Sequence, residues 1–131
     1  MTNVDGVEIP ATSQVILVAE DDPGIASIIK FVLEAEGFTV ALARDGGEAL
    51  DKARELHPGL LLLDVVLPKV DGRSVAMALI QEMGASRPPI ILLSASSKLS
   101  ELATELGVEG FVTKPFEPDD IVFVSKQQLG I

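Results

Sequence analysis

An α/β fold, with a doubly wound parallel sheet covered by helices on both faces, is the architecture this sequence predicts. Three observations predict it. Short apolar runs, Val15-Ile16-Leu17-Val18 and Leu60-Leu61-Leu62-Leu63 among them, read as strands buried on both faces. These runs alternate with segments of helical periodicity, which implies parallel strands joined by right-handed crossovers. Polar residues then stand directly after or inside the runs: Glu20-Asp21-Asp22, Asp64, Ser94 and Lys114-Pro115, with Pro68 shortly after Asp64. Polar groups at the ends of several parallel strands meet on one edge of the sheet, where open α/β folds build their sites.

The elements follow in order. A first strand is expected over 14–19. Asp22-Pro23 then offers an N-cap and a proline at the first helical position. Ile25, Ile28, Ile29, Val32 and Leu33 recur at helical spacing, and Gly37 is placed to end that helix. A second strand covers 38–43. Asp45 can cap a helix carrying Ala49, Leu50, Ala53 and Leu56 on one face, stopped by His57-Pro58. The third strand is 60–63, followed by a loop over 65–71 that holds Pro68. A helix over 73–83 is the least periodic. Pro88-Pro89 breaks it before a fourth strand over 90–93. A short helix over 99–106 ends at Gly107, and 111–113 is the fifth strand. The last helix, 118–128, is expected against the β-preference of Ile121-Val122-Phe123-Val124. Residues 1–13 read as a polar tail and 14–131 as one domain.

Composition narrows the function. The chain has 131 residues, long enough for one domain with a real core. Hydrophobic residues make up 47%, and with no Trp or Tyr the core must be aliphatic, helped by five Phe. Twenty Asp and Glu against ten Lys and Arg leave a net charge of −10. Phosphate contacts need a basic patch, so neither direct nucleic-acid binding nor an anionic membrane surface is expected. The absence of cysteine excludes disulfides, thiolate metal sites and a Cys nucleophile. No run approaches the ~20 apolar residues of a membrane span, and the start has no secretory signal. A cytoplasmic protein is expected.

Gathered at one sheet edge, carboxylates of the Glu20-Asp21-Asp22 run with Asp64, Ser94 and Lys114 make an acidic pocket. Crowded carboxylates would force one to stay protonated unless a cation joins them. Mg²⁺ prefers oxygen ligands of this kind, and Mn²⁺ would also fit. Taken singly, each residue has a plainer role: the Glu20-Asp21-Asp22 run as a helix cap, Ser94 as a strand-end hydroxyl, Lys114 as a surface lysine. Asp64 is harder to explain away, because a carboxylate ending a buried strand must find a partner. His57, between Leu56 and Pro58, reads as a helix-end residue.

Five segments carry a family resemblance: Ile16-Leu17-Val18-Ala19-Glu20-Asp21-Asp22-Pro23, Leu62-Leu63-Asp64-Val65-Val66-Leu67-Pro68, Asp71-Gly72, Leu93-Ser94-Ala95 and Gly110-Phe111-Val112-Thr113-Lys114-Pro115-Phe116. In this order and spacing the chain, over about 14–129, resembles a response-regulator receiver domain of two-component signalling. The resemblance implies a five-stranded sheet of flavodoxin-like order 2-1-3-4-5. It implies that Asp64 accepts a phosphoryl group from a histidine kinase or a phosphotransfer protein, with Ser94 and Lys114 contacting that group. Mg²⁺ would be held by Glu20, Asp21, Asp64 and the backbone carbonyl of Val66, Glu20 acting mostly through water. How Glu20 and Asp22 divide their roles stays open. Ser94 and Phe111 would form a switch, and a cis peptide between Lys114 and Pro115 would aim the lysine at the pocket. The output face would be the fourth helix, fifth strand and last helix, about 99–128, meeting a downstream protein target as a monomer or weak dimer. With no output domain after Ile131, a stand-alone type that does not bind nucleic acid directly is expected, acting as a signalling protein rather than an enzyme on other substrates. Family water-flanking positions fall on Val66 and Ser96, so slow self-dephosphorylation is expected.

Two other classes lack residues they require. A haloacid-dehalogenase-like phosphatase needs a second Asp two residues after its nucleophile, and that position is Val66. A flavodoxin-like cofactor binder needs a hydroxyl- and Gly-rich loop where Glu20-Asp21-Asp22 stand. A receiver-like docking module independent of phosphorylation is the alternative function.

Overall fold

Five strands form one parallel sheet in the order β2-β1-β3-β4-β5, with β1 at Val15–Ala19, β2 at Thr39–Ala43, β3 at Leu60–Asp64, β4 at Ile90–Ser94 and β5 at Gly110–Thr113. The computed structural model describes residues 2–4, 7–9 and 15–131. Ile16 pairs with Val40 on one side and Leu60 on the other, Leu61 with Ile90, and Ser94 with Thr113. This is the expected 2-1-3-4-5 order. A helix follows each strand: α1 (Pro23–Ala35), α2 (Gly46–Leu56), α3 (Gly72–Met83), α4 (Leu99–Leu106) and α5 (Pro118–Leu129).

The continuous apolar runs are explained by two cores. Successive strand side chains point to opposite faces. Leu17, Ala19, Leu61, Leu63, Ile90 and Leu92 share one cluster with Ala49 and Ala53 of α2, Val75 and Leu79 of α3 and Leu99 of α4. Ile16, Val18, Leu60, Leu62, Ile91 and Leu93 share the other with Ile29 and Leu33 of α1 and Ile121 of α5. β1, β3 and β4 are buried along their whole length. Each fully buried Leu or Ile contributes about 1.5–3 kcal/mol, so these three strands carry the sheet. β5 lies at the edge, with Phe111 and Thr113 outward and Gly110 and Val112 half-buried.

Capping matches the sequence signals at Asp22 and Asp45, and the structure adds Asp71 as the cap of α3. Asp22 Oδ1 accepts from the N–H groups of Gly24 and Ile25 at 2.8 and 3.2 Å. Asp45 Oδ1 accepts from Glu48 N–H at 2.8 Å, and Asp71 Oδ1 from Ser74 N–H at 2.9 Å. His57 ends α2 in the left-handed region, as a helix-end residue. α5 forms despite its β-prone run because Ile121 and Ser125, one turn apart, are both buried, and α5 packs on α1.

The tail expected over 1–13 contains two short strands, Thr2–Val4 and Val7–Ile9, paired antiparallel in a separate sheet. Residues 1, 5, 6 and 10–14 lie outside the described residues.

Candidate functional site

Parallel strands bring their C-terminal ends to one edge. α1 and α3, which follow the neighbouring strands β1 and β3, lie on opposite faces of the sheet, so the chain parts between these strands and opens a crevice there. Glu20 and Asp21 follow β1, Asp64 ends β3, Ser94 ends β4 and Lys114 follows β5.

Glu20 and Asp64 are nearly fully buried, at 2% and 4% exposure, while Asp21 is exposed. A carboxylate oxygen from each of the three lies within 4.8 Å of the others. Lys114 Nζ donates to Glu20 Oε1 at 2.5 Å and to Asp64 Oδ2 at 2.8 Å. Asp64 Oδ1 accepts from the backbone N–H of Val66 at 2.9 Å, so both of its oxygens are fixed. Burial pushes the Glu20 carboxyl up to about 7, and the neighbouring Asp64 carboxylate adds to this while Lys114 opposes it. Burial works against the Lys114 ammonium, but its bonds to Asp64 and Glu20 outweigh this and raise its pKa. The pocket therefore holds more negative charge than one lysine neutralises.

The roles left open between Glu20 and Asp22 are separated by geometry. Asp22 turns outward to cap α1, and its N–H donates to Glu20 Oε2 at 3.3 Å. Glu20 turns inward. The Lys114–Pro115 peptide is cis. Ser94 is buried, and its Oγ accepts from Ser96 N–H at 3.2 Å. Ser94 also borders a cavity of about 260 Å³ between β4 and α4, shared with Val65, Arg73 and Lys98. Val66 contributes its backbone to the pocket, while its side chain is 71% exposed. Phe111 stands outside, half-exposed on β5, bordering the same surface hollow as Phe123 of α5. The structure thus gathers Glu20, Asp21, Asp64, Val66 and Lys114, sets Ser94 at the rim and leaves Phe111 on the surface.

One contributor was legible only as a motif. A β-carbon on Gly72 would stand 2.2 Å from the carbonyl oxygen of Asp64. Gly72 N–H donates to Val65 O at 2.8 Å. The glycine of Asp71-Gly72 is thus required by close backbone approach to the strand end that carries Asp64.

A doubly wound sheet with a buried strand-end carboxylate, flanked by two more carboxylates and a lysine, defines an open α/β domain built around an acidic pocket. The chain belongs to the response regulator receiver domain family, whose pattern matches residues 16–125. The DNA-binding response regulator MtrA of Mycolicibacterium smegmatis is 40% identical over 111 residues, covering 83% of this chain and 47% of that protein. The alkaline phosphatase synthesis transcriptional regulatory protein PhoP of Bacillus subtilis is 40% identical over 108 residues, covering 81% and 44%. The chain spans about half the length of these relatives. Among solved structures, the receiver domain of Francisella response regulator 1452 superposes with a TM-score of 0.83 at 29% identity, covering 90% of this chain and 98% of that one. A CheY-like receiver domain protein from Methanospirillum hungatei JF-1 gives 0.81 at 27% identity, covering 90% and 94%. As a receiver domain the chain has the phosphoacceptor role in two-component signalling, and receivers work through histidine kinases and downstream targets. Among the described residues no helix is long and apolar enough to cross a membrane.

Proposed function

We propose that Asp64 is the phosphoacceptor and takes its phosphoryl group from a phosphohistidine of a sensor kinase or a phosphotransfer protein. The observation that carries this is the Asp64 carboxylate itself: buried at the end of β3, held by Val66 N–H and Lys114 Nζ, and open toward Asp21. A carboxylate oxygen attacks phosphorus as the P–N bond breaks, and the leaving imidazole ends as the neutral ring by taking up a proton. Phosphoryl transfer needs mainly alignment and charge neutralisation. Lys114 supplies one positive group at the oxygen that reacts, and Ser94 is placed to donate its hydroxyl to the phosphoryl group once it is present.

The donor set fits a hard divalent cation, since it is all oxygen and sets three carboxylates against one lysine. Glu20, Asp21, Asp64 and the Val66 carbonyl would hold Mg²⁺. Bound there, it would neutralise charge on the phosphoryl oxygens. The cytoplasm suits a protein without cysteine that takes its phosphoryl group from a kinase. With a net charge of −10, this chain is read as signalling by protein contact rather than by touching DNA.

The test is incubation with acetyl phosphate and Mg²⁺ followed by intact mass measurement. Wild type should gain one phosphoryl group, and Asp64→Asn should gain none. Undiminished labelling of Asp64→Asn would refute the assignment. A wild type that takes no label would turn the reading to a docking module.

A further inference from the structure

The loop after Asp64 does not stand alone; it is seated on the first turn of α2. Gly46 is buried, and a β-carbon built on it would lie 1.7 Å from the carbonyl oxygen of Val70 and 2.5 Å from its carbonyl carbon. Both are backbone atoms and cannot swing aside. Gly46 N–H donates to Pro68 O at 3.2 Å, and Val70 N–H donates to the same oxygen at 2.8 Å. Between them Lys69 sits at φ +69. A bond from residue i to i+2 closed over a positive φ is a γ-turn of the rare, strained kind. A strained turn persists only where its surroundings over-determine it. Here those surroundings are Gly46, the ion pair of Lys69 Nζ with Asp45 Oδ2 at 3.5 Å, and Leu67 buried in the core below.

The other end of the loop is fixed by Gly72 against Asp64. Between the two fixed points lies Val66, whose N–H holds Asp64 Oδ1. We infer that Gly46 and the Lys69 turn are positioning residues for phosphoryl transfer: the first turn of α2, by backbone contact with Pro68–Val70, sets where Val66 presents its N–H to Asp64. The inference rests on Asp64 being the phosphoacceptor. A side chain at 46 would push the loop tip away, and Val66 would follow. Gly47, next in the same turn, is the control. A β-carbon there meets only Asp45 Oδ1, at 3.3 Å, and both Gly→Ala changes gain the same helix propensity.

The experiment uses the whole chain, with acetyl phosphate as donor and two readouts. The first is the rate of labelling against donor concentration; the second is the Val66 amide, followed without donor by its chemical shift and hydrogen exchange. Gly46→Ala should lower the maximal labelling rate, by up to ~10²-fold as displacements of about an ångström do. It should leave the donor concentration for half-maximal rate unchanged, and it should speed exchange at Val66. Gly47→Ala should match wild type in both. Should Gly46→Ala not fold, the decision passes to position 69, whose side chain is 75% exposed. Lys69→Val, β-branched at a positive φ, should reproduce the losses. Lys69→Gly, which also lacks the charge but adopts the turn freely, should restore both readouts. Wild-type behaviour of folded Gly46→Ala, or of Lys69→Val, would overturn the inference. Equal losses in Gly47→Ala would overturn it as well. Failure of wild type to label at Asp64 would remove the phosphoacceptor reading and this inference with it, whereas labelled wild type with unaffected variants would remove this inference alone.

Discussion

Val66 plays two parts at the residue scale. Its backbone holds Asp64, yet its side chain stands in solvent directly beside the pocket. Valine has no group to orient a water molecule. Ser96, on the other side, is exposed and already accepts from Lys98 N–H at 3.1 Å through its Oγ. Neither side chain is equipped to activate water against a phosphoryl group on Asp64, so the phosphorylated protein should be long-lived. Val66→Asn combined with Ser96→Glu should shorten its lifetime, by on the order of 10²-fold if a water is positioned as general-base catalysis usually achieves. The check is the decay of the labelled protein after donor removal, followed by intact mass. Equal decay in the double variant and wild type would defeat the water-positioning argument. Both positions are exposed, so the comparison should not be blurred by unfolding.

Between elements, the N-terminal ends of β4 and β5 are clamped by one ion pair far from the pocket. Arg87 donates to both carboxylate oxygens of Glu109 at 2.8 and 3.1 Å, and Ile90 N–H donates to Glu109 Oε1 at 2.8 Å. Burial pushes the Glu109 carboxyl up, but Arg87 and the Ile90 N–H outweigh it and hold it below its usual 4.5. A carboxyl lowered by folding stabilises the protein above its unfolded value and loses that contribution as pH falls through the folded one. Stability should therefore decline below about pH 4.5, and Glu109→Gln should show a smaller loss between neutral pH and pH ~4, read from urea midpoints. An identical acid slope in the variant would show that the clamp is not a pH-sensitive element. The same scale shows where local preference yields. The run Ile121–Val124 prefers a strand, but a strand would turn Phe123 to the same face as Ile121 and Ser125, whereas the helix that packs on α1 buries those two and leaves Phe123 exposed.

Across the whole molecule, the pocket and the exposed aromatic side are joined through β4 and β5. Lys114 N–H donates to Ser94 O at 2.8 Å, so the two strand ends move together. Phe111 lies further back on β5 and borders a surface hollow with Phe123 of α5, both exposed. A phosphoryl group that draws Ser94 and Lys114 inward should shift an equilibrium between two arrangements of α4, β5 and α5. With beryllofluoride standing in for the phosphoryl group, amide chemical shifts should change over about 99–128 as well as around Asp64. Shifts confined to α1 and α2 would rule this out.

Much of this protein was written in its local sequence. The buried runs at Val15, Leu60 and Ile90, the caps Asp22 and Asp45, and the stops at Gly37 and His57 are signals acting over a few residues, and each stands where the sequence predicts it. So does the set of polar strand ends, because period-two strands in a parallel sheet deliver their C-terminal residues to one edge whatever the details. Folding in three dimensions settled the rest. Asp22 caps α1 while Glu20 turns inward, Phe111 faces outward, and Gly46 touches Val70 across more than twenty residues of chain. These depend on which atoms distant segments bring into contact. Steric exclusion and desolvation act between neighbours in space, and composition, periodicity and motif spacing record only neighbours along the chain.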